Sequence, residues 1–195
     1  MFYPPGEPLA PPLEGLGSRY AQAAGAASAL LAARERDSLA ELRVDHAHLF
    51  VGPFGLQAAP YGSVYLERGR RVMGDSTLAA ARLYAQVGLR LREDFKDLPD
   101  HIAVELEFMH YLAWLEAEAL ATGATEKAAE HRQTQRRFLA EHLRAWLPEF
   151  CEAVRRNART AFYRLLVDCV LAFVCEDAAA MGAVNDEAEG QRGPL

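Results

Sequence analysis

Residues 97–112 read DLPDHIAVELEFMHYL. Pro99 cannot continue a helix from its N-terminal side, and its ring fixes the entry of the chain. Asp100 then suits a helix N-cap, where a carboxylate accepts a backbone amide and faces the positive end of the helix dipole. Behind it, Ile102, Leu106, Met109 and Ala113 recur at helical spacing and form one apolar stripe. The stretch therefore predicts a long amphipathic helix, and such a stripe needs another helix to bury it.

The same reading extends in both directions. Ser18 is placed to cap a first Ala- and Leu-rich helix ending near Arg36. Ser38-Leu39-Ala40-Glu41 is a capping box, in which the Ser oxygen takes the Glu41 amide and the Glu reaches back. It opens a second helix with Leu39, Leu42, His46, Leu49 and Phe50 on one face, stopped at Gly52-Pro53. Residues 52–74, GPFGLQAAPYGSVYLERGRRVMG, are too rich in Gly and Pro to be read as helical. Ser76 is the expected cap of a third helix carrying Ala80, Leu83, Tyr84, Val87 and Leu91. Thr125 opens a fifth, with Phe138, Leu139, Leu143, Trp146 and Leu147. Pro148 is read as a break and the first residue of a new helix. Thr160 starts the last, with Phe162, Leu165, Leu166, Cys169 and Phe173. No period-2 strand pattern intervenes. The fold class is all-α: a single-domain helical bundle of six or more helices with a long Gly/Pro-rich loop. Its parts are an irregular Pro-rich N-terminus over 1–17, a helical domain over 18–180 and a disordered tail over 181–195.

Composition narrows the function. At 195 residues and 51% hydrophobic, the chain is long enough for a substantial core. Lys and Arg number 21 against 27 Asp and Glu, for a net charge of −6. That balance disfavours nucleic acid, whose phosphates need a basic face, and suits a basic peptide. Cys151, Cys169 and Cys175 are odd in number and contain no C-x-x-C, so neither a disulfide framework nor a zinc knuckle is indicated. No apolar run of about 18 residues marks a membrane span. MFYPPGEPLAPPLEG lacks a basic leading region and is not read as a signal peptide. The expected compartment is the cytoplasm.

Catalytic and metal patterns are thin. Glu107-Phe108-Met109-His110 is one Glu-x-x-His, whereas bundle di-iron sites use two such motifs with two further glutamates. Asp45-His46-Ala47-His48 is only an echo of it. These four acids and imidazoles define the alternative reading, a helical carboxylate-histidine metalloenzyme using Glu107, His110, Asp45 and His48. His46 falls on an apolar stripe, as a hydrogen-bonded core histidine would. His101 and Glu105 are four apart and share a helix face. No Ser or Cys completes a triad in sequence, and neither G-x-x-x-x-G-K-[ST] nor G-x-G-x-x-G occurs. A third reading is a purely structural helical adaptor.

Several blocks occur in a particular order: Leu49-Phe50-Val51-Gly52-Pro53, then Pro60-Tyr61-Gly62-Ser63-Val64-Tyr65-Leu66, then Pro99-Asp100-His101-Ile102 with Glu105-Leu106-Glu107-Phe108-Met109. Phe138-Leu139, His142-Leu143 and Trp146-Leu147-Pro148-Glu149-Phe150 follow. In this order, over about residues 39–175, the chain resembles the TorD/DmsD/NarJ family of redox-enzyme maturation chaperones, nearest its TorD-like branch. His46 departs from the pattern, where the family often has an aromatic residue. The resemblance implies a cytoplasmic all-helical chaperone with no catalytic activity, no metal and no cofactor of its own. It implies as partner the apo form of a molybdenum oxidoreductase, or its twin-arginine signal peptide, held until the molybdopterin cofactor is inserted. Monomers and domain-swapped dimers are both known in the family. Carried over by motif, the client-binding residues are Tyr61, Ser63, Val64, Tyr65, Pro99, Asp100, His101 and Ile102, with Glu105 and Glu107 as weaker candidates. Asp100 and His101 are then expected near the surface as an anionic corner for guanidinium groups. Tyr61, Val64 and Tyr65 are expected to receive the apolar part of the peptide.

Overall fold

The structure is a computed structural model and describes residues 20–52, 55–90 and 96–190, with only the backbone for 183–190. The helices are α1 (Ala21–Arg36), α2 (Leu39–His46), α3 (Gly62–Leu66), α4 (Asp75–Gln86), α5 (Ile102–Ala121), α6 (Thr125–Phe138), α7 (Arg144–Asn157) and α8 (Ala161–Gly190). A π-helical turn, Ala47–Val51, extends α2, and another, Leu139–Leu143, joins α6 to α7. Among the described residues there is no strand, only an isolated antiparallel bridge between Tyr61 and His101. The expected all-helical class holds. No described helix is long and apolar enough to cross a membrane.

The described residues fall into two compact units, 59–150 and 20–58 with 151–190. In the second unit, α1 packs on α8. Ala23, Ala27, Leu30 and Ala33 form its buried stripe, and small side chains there permit close approach. Anionic side chains complete the helix starts. Glu176 accepts the Gln22 and Ala23 amides at the start of α1, at 2.8 and 3.0 Å. Asp45 accepts the Arg159 and Thr160 amides and the Thr160 hydroxyl, and Asp37 accepts the Phe162 amide, so α8 begins on two carboxylates. The Ser38–Glu41 capping box forms as expected, with the Glu41 amide donating to Ser38 Oγ at 3.2 Å and the Ser38 amide to Glu41 Oε2 at 2.9 Å.

The first unit is built on aromatic packing. Phe108 of α5 meets Tyr84 of α4 at 4.5 Å and Phe138 of α6 at 4.8 Å. Trp146, Leu147 and Phe150 of α7 are also buried.

Four local expectations change. The loop over 52–74 contains a helix, α3, despite its glycines. Ser76 does not cap α4. That helix starts at Asp75, and the Ser76 amide and hydroxyl donate to Glu67 Oε1, each at 2.8 Å. Pro148 lies inside α7 rather than at its start. The preceding π-helical turn has already broken the regular ladder, where a proline lacking its N–H is more easily carried. The backbone of α8 stays helical past residue 180, to Gly190. Residues 1–17, Ser18, Pro53, Leu91 and 191–195, which carried other expectations, lie outside the described residues, and Val87 falls at the C-cap of α4.

Candidate functional site

The two motif blocks meet. The Gly62 amide donates to the Asp100 carbonyl and the Ile102 amide to the Pro60 carbonyl, both at 2.9 Å. This ladder fixes the start of α3 against the start of α5. Gly62 is needed for the approach, since a Cβ there would stand 3.0 Å from Trp146 Nε1. The Asp100 side chain crosses the same gap, and its Oδ2 accepts the Ser63 amide at 2.7 Å. That amide lies in the first turn of α3 and has no intrahelical acceptor, so Asp100 caps α3. His101 is the N-cap of α5, with Nδ1 accepting the Ala103 amide at 3.1 Å. Both residues do cap helices, but Asp100 is not the cap of its own.

Deeper in the corner, Glu105 Oε2 accepts Trp146 Nε1–H at 3.0 Å. Burial pushes the Glu105 carboxyl well above the ordinary carboxylate range; the Trp146 bond opposes the shift and nearby Asp100 adds to it. Burial likewise lowers the His101 imidazole, against the nearby Asp97 and Asp100 carboxylates, which pull the other way. Tyr84 donates its hydroxyl to the Pro99 carbonyl at 2.7 Å, which holds the turn before α5.

The expected anionic corner is not at the surface. Asp100 is 1% exposed, His101 7%, and Ser63, Ile102 and Glu105 are fully buried, with Val64 at 8%. The reason is geometric: a side chain just before the N-cap can turn inward to serve a second helix end. The sequence expectation considered only the helix that follows. Half-exposed members of the expected set are Tyr61, Tyr65 and Pro99. The Tyr65 ring stacks on Trp146 at 5.6 Å and 16°, and the Tyr61 ring meets His101 edge-on at 5.3 Å.

Sequence reasoning missed Asp97. Its Oδ1 accepts the Tyr61 hydroxyl at 2.7 Å, and its side chain is half-exposed. Burial, followed by the Asp97 bond and charge, raises the Tyr61 phenol far above its ordinary value, so it remains a donor. The available signal was an acid three residues before Asp100, across Pro99, where a turn folds it back toward the corner. Trp146 appeared among the family blocks but was not assigned a role at the corner.

Of the four metalloenzyme residues, Asp45 is already engaged and His48 is half-buried on the π-helical turn after α2. Asp45 caps α8, and His46 lies against Phe50 and Tyr163 at 5.4 and 6.3 Å. Glu107 and His110 are exposed on α5. Among the described residues, no group of three His, Cys, Asp or Glu side chains is placed to hold a metal ion.

The nitrate reductase delta subunit family model matches residues 13–152. A TorD chaperone protein of Psychrobacter sp. (strain PRwf-1) is 30% identical over 158 residues, 80% of this chain and 67% of its own length. One from Vibrio cholerae (serotype O1, strain El Tor Inaba N16961) is 29% identical over 73% of this chain and 63% of its own. The Tat proofreading chaperone DmsD of Salmonella typhi is 31% identical over 60% of this chain and 51% of its own length. The chain thus spans half to two thirds of the length of these curated relatives, which are chaperones and not enzymes. With the family model covering both blocks of the corner, the chain belongs to the TorD/DmsD/NarJ family of redox-enzyme maturation chaperones.

Proposed function

We propose that this protein is a cytoplasmic chaperone that binds an apo-molybdoenzyme through its twin-arginine signal peptide, at the α3–α5 corner. The corner offers two half-exposed tyrosines, Tyr61 and Tyr65, the half-exposed Pro99, and a half-exposed carboxylate, Asp97. A guanidinium meets Asp97 and the apolar part of the peptide covers the Tyr61 ring and the part of Tyr65 that Arg70 leaves open. Asp100, His101, Ser63, Val64, Ile102 and Glu105 act behind this face, by holding the two helix starts together. Ring burial supplies most of the affinity, because an ion pair at a rim contributes only ~0–1 kcal/mol and apolar burial about 25 cal/mol per Å². Carrying the reading is one observation: Asp97, half-exposed, is bonded to Tyr61 at 2.7 Å at the edge of a corner in which Asp100 and Glu105 are buried.

Titration calorimetry of the whole chain with a twin-arginine peptide tests it. Tyr65→Ala and Asp97→Asn each weaken binding, and a Lys-Lys peptide binds less well, since lysine lacks the planar fork. Equal affinity for both peptides favours the structural-adaptor reading.

A further inference from the structure

In this acidic chain, three of the four residues at 68–71 are arginines, ArgGlyArgArg, followed by Val72 and Met73. All five side chains are exposed, Val72 at 50% and Met73 at 70%. We propose that the loop from Glu67 to Gly74 is a second docking surface, which takes a segment of a partner protein bearing both carboxylates and apolar side chains. This goes beyond the peptide reading, for a twin-arginine leader is cationic, whereas exposed Arg68 and Arg71 suit an acidic segment.

The loop is held for display. Glu67 closes its stem by accepting the Ser76 amide and hydroxyl. A Cβ on Gly74 would overlap the Glu67 carboxylate, so the closure needs glycine there. Arg70 is fixed over the Tyr65 ring, 5.2 Å from its centroid, and pairs with Glu149 at 3.3 Å. Arg68 and Arg71 make no ion pair among the described residues. Arg70 and Met73 adopt positive φ, 52° and 64°. Non-glycine residues rarely take that region, and such strain concentrates at binding segments.

Charge complementarity selects the occupant. Arg68 and Arg71, with no ion pair among the described residues, bind carboxylates two-pronged, and an exposed methionine adapts to varied apolar partners. An anionic membrane fits less well. Surface attraction relies on clusters of about 4–8 basic residues, and this loop carries three arginines.

The test uses the full chain and a fluorescent peptide alternating glutamate with leucine, followed by anisotropy at low salt. Saturable binding is expected, about three- to tenfold weaker for Arg68→Glu with Arg71→Glu, and weaker at higher salt. Val72→Ser with Met73→Ser also weakens it. The charge-reversed variant keeps its melting temperature and binds the twin-arginine peptide no less tightly, so failure here is distinct from failure of the α3–α5 reading. The proposal is overturned if the peptide does not bind, if charge reversal leaves its affinity unchanged, or if only phosphatidylserine vesicles bind and lose affinity on reversal.

Discussion

Replacing Asp100 with Ala removes the acceptor of the buried Ser63 amide, at 2.7 Å in a site 1% exposed. The amide cannot turn to water without pulling α3 from α5, because the Gly62–Asp100 and Ile102–Pro60 ladder holds it there. A hydrogen bond to a charged acceptor is worth about 1.5–3 kcal/mol. For a chain of this length each kcal/mol moves the melting temperature by roughly 2–4 °C. Asp100→Ala is therefore expected to melt about 3–12 °C lower by circular dichroism at the helix band. Asp100→Asn keeps a carbonyl oxygen for the amide and should recover most of the loss. Peptide affinity should fall in step with folding, not ahead of it. A variant that melts with the wild type yet loses the twin-arginine peptide would make Asp100 a direct contact and refute the clamp.

Glu105→Gln keeps an acceptor for Trp146 and removes the ionisation. Because the folded carboxyl is raised above its ordinary 4.5, its contribution to stability is present below that value and lost as pH rises through the folded pKa. The variant should therefore gain on the wild type in denaturant titrations at about pH 8 relative to about pH 5. His101 and His142 have the opposite sign. Burial lowers both from 6.5, so their stability is present above that value and lost as acid protonates them. His142→Gln should flatten the acid limb of the thermal-stability profile. Among the thiols, burial pushes Cys151 up to about 12 and raises Cys169, while Cys175 is exposed. A disulfide reagent at mild pH should modify Cys175 quickly and the other two only after denaturant. Asp45→Ala strips the start of α8 of its acceptor for two amides and a hydroxyl and should cost about 2–4 kcal/mol in urea unfolding.

The sequence was legible where periodicity and capping act locally. The Ser38–Glu41 box and the Thr125 start follow from neighbours within one turn, and the helices formed where those signals lay; of the expected α5 stripe, Ile102 and Met109 are buried, while Leu106 is half-buried and Ala113 exposed. It failed where a side chain answers to a distant element. Ser76 has the residue type of a cap, but Glu67, across a loop, takes both its donors. Asp100 reads as a cap for the helix ahead and caps the one behind. Helix α3 lies in a stretch whose glycines suggest a loop; Gly62 is there to admit Trp146, a requirement no local pattern carries. The family blocks brought the right segments together without saying which side chains face out. Burial, which depends on contacts from Trp146 and Tyr84, moved the accessible acid from Asp100 to Asp97.

A photo-crosslinker placed beside the arginine pair of a twin-arginine peptide, followed by mass spectrometry of the linked chain, addresses the central claim most directly. Attachment is predicted within 61–66 and 96–99, competed away by unlabelled peptide and reduced in Asp97→Asn. Attachment confined to other helices, insensitive to that substitution, would contradict the account.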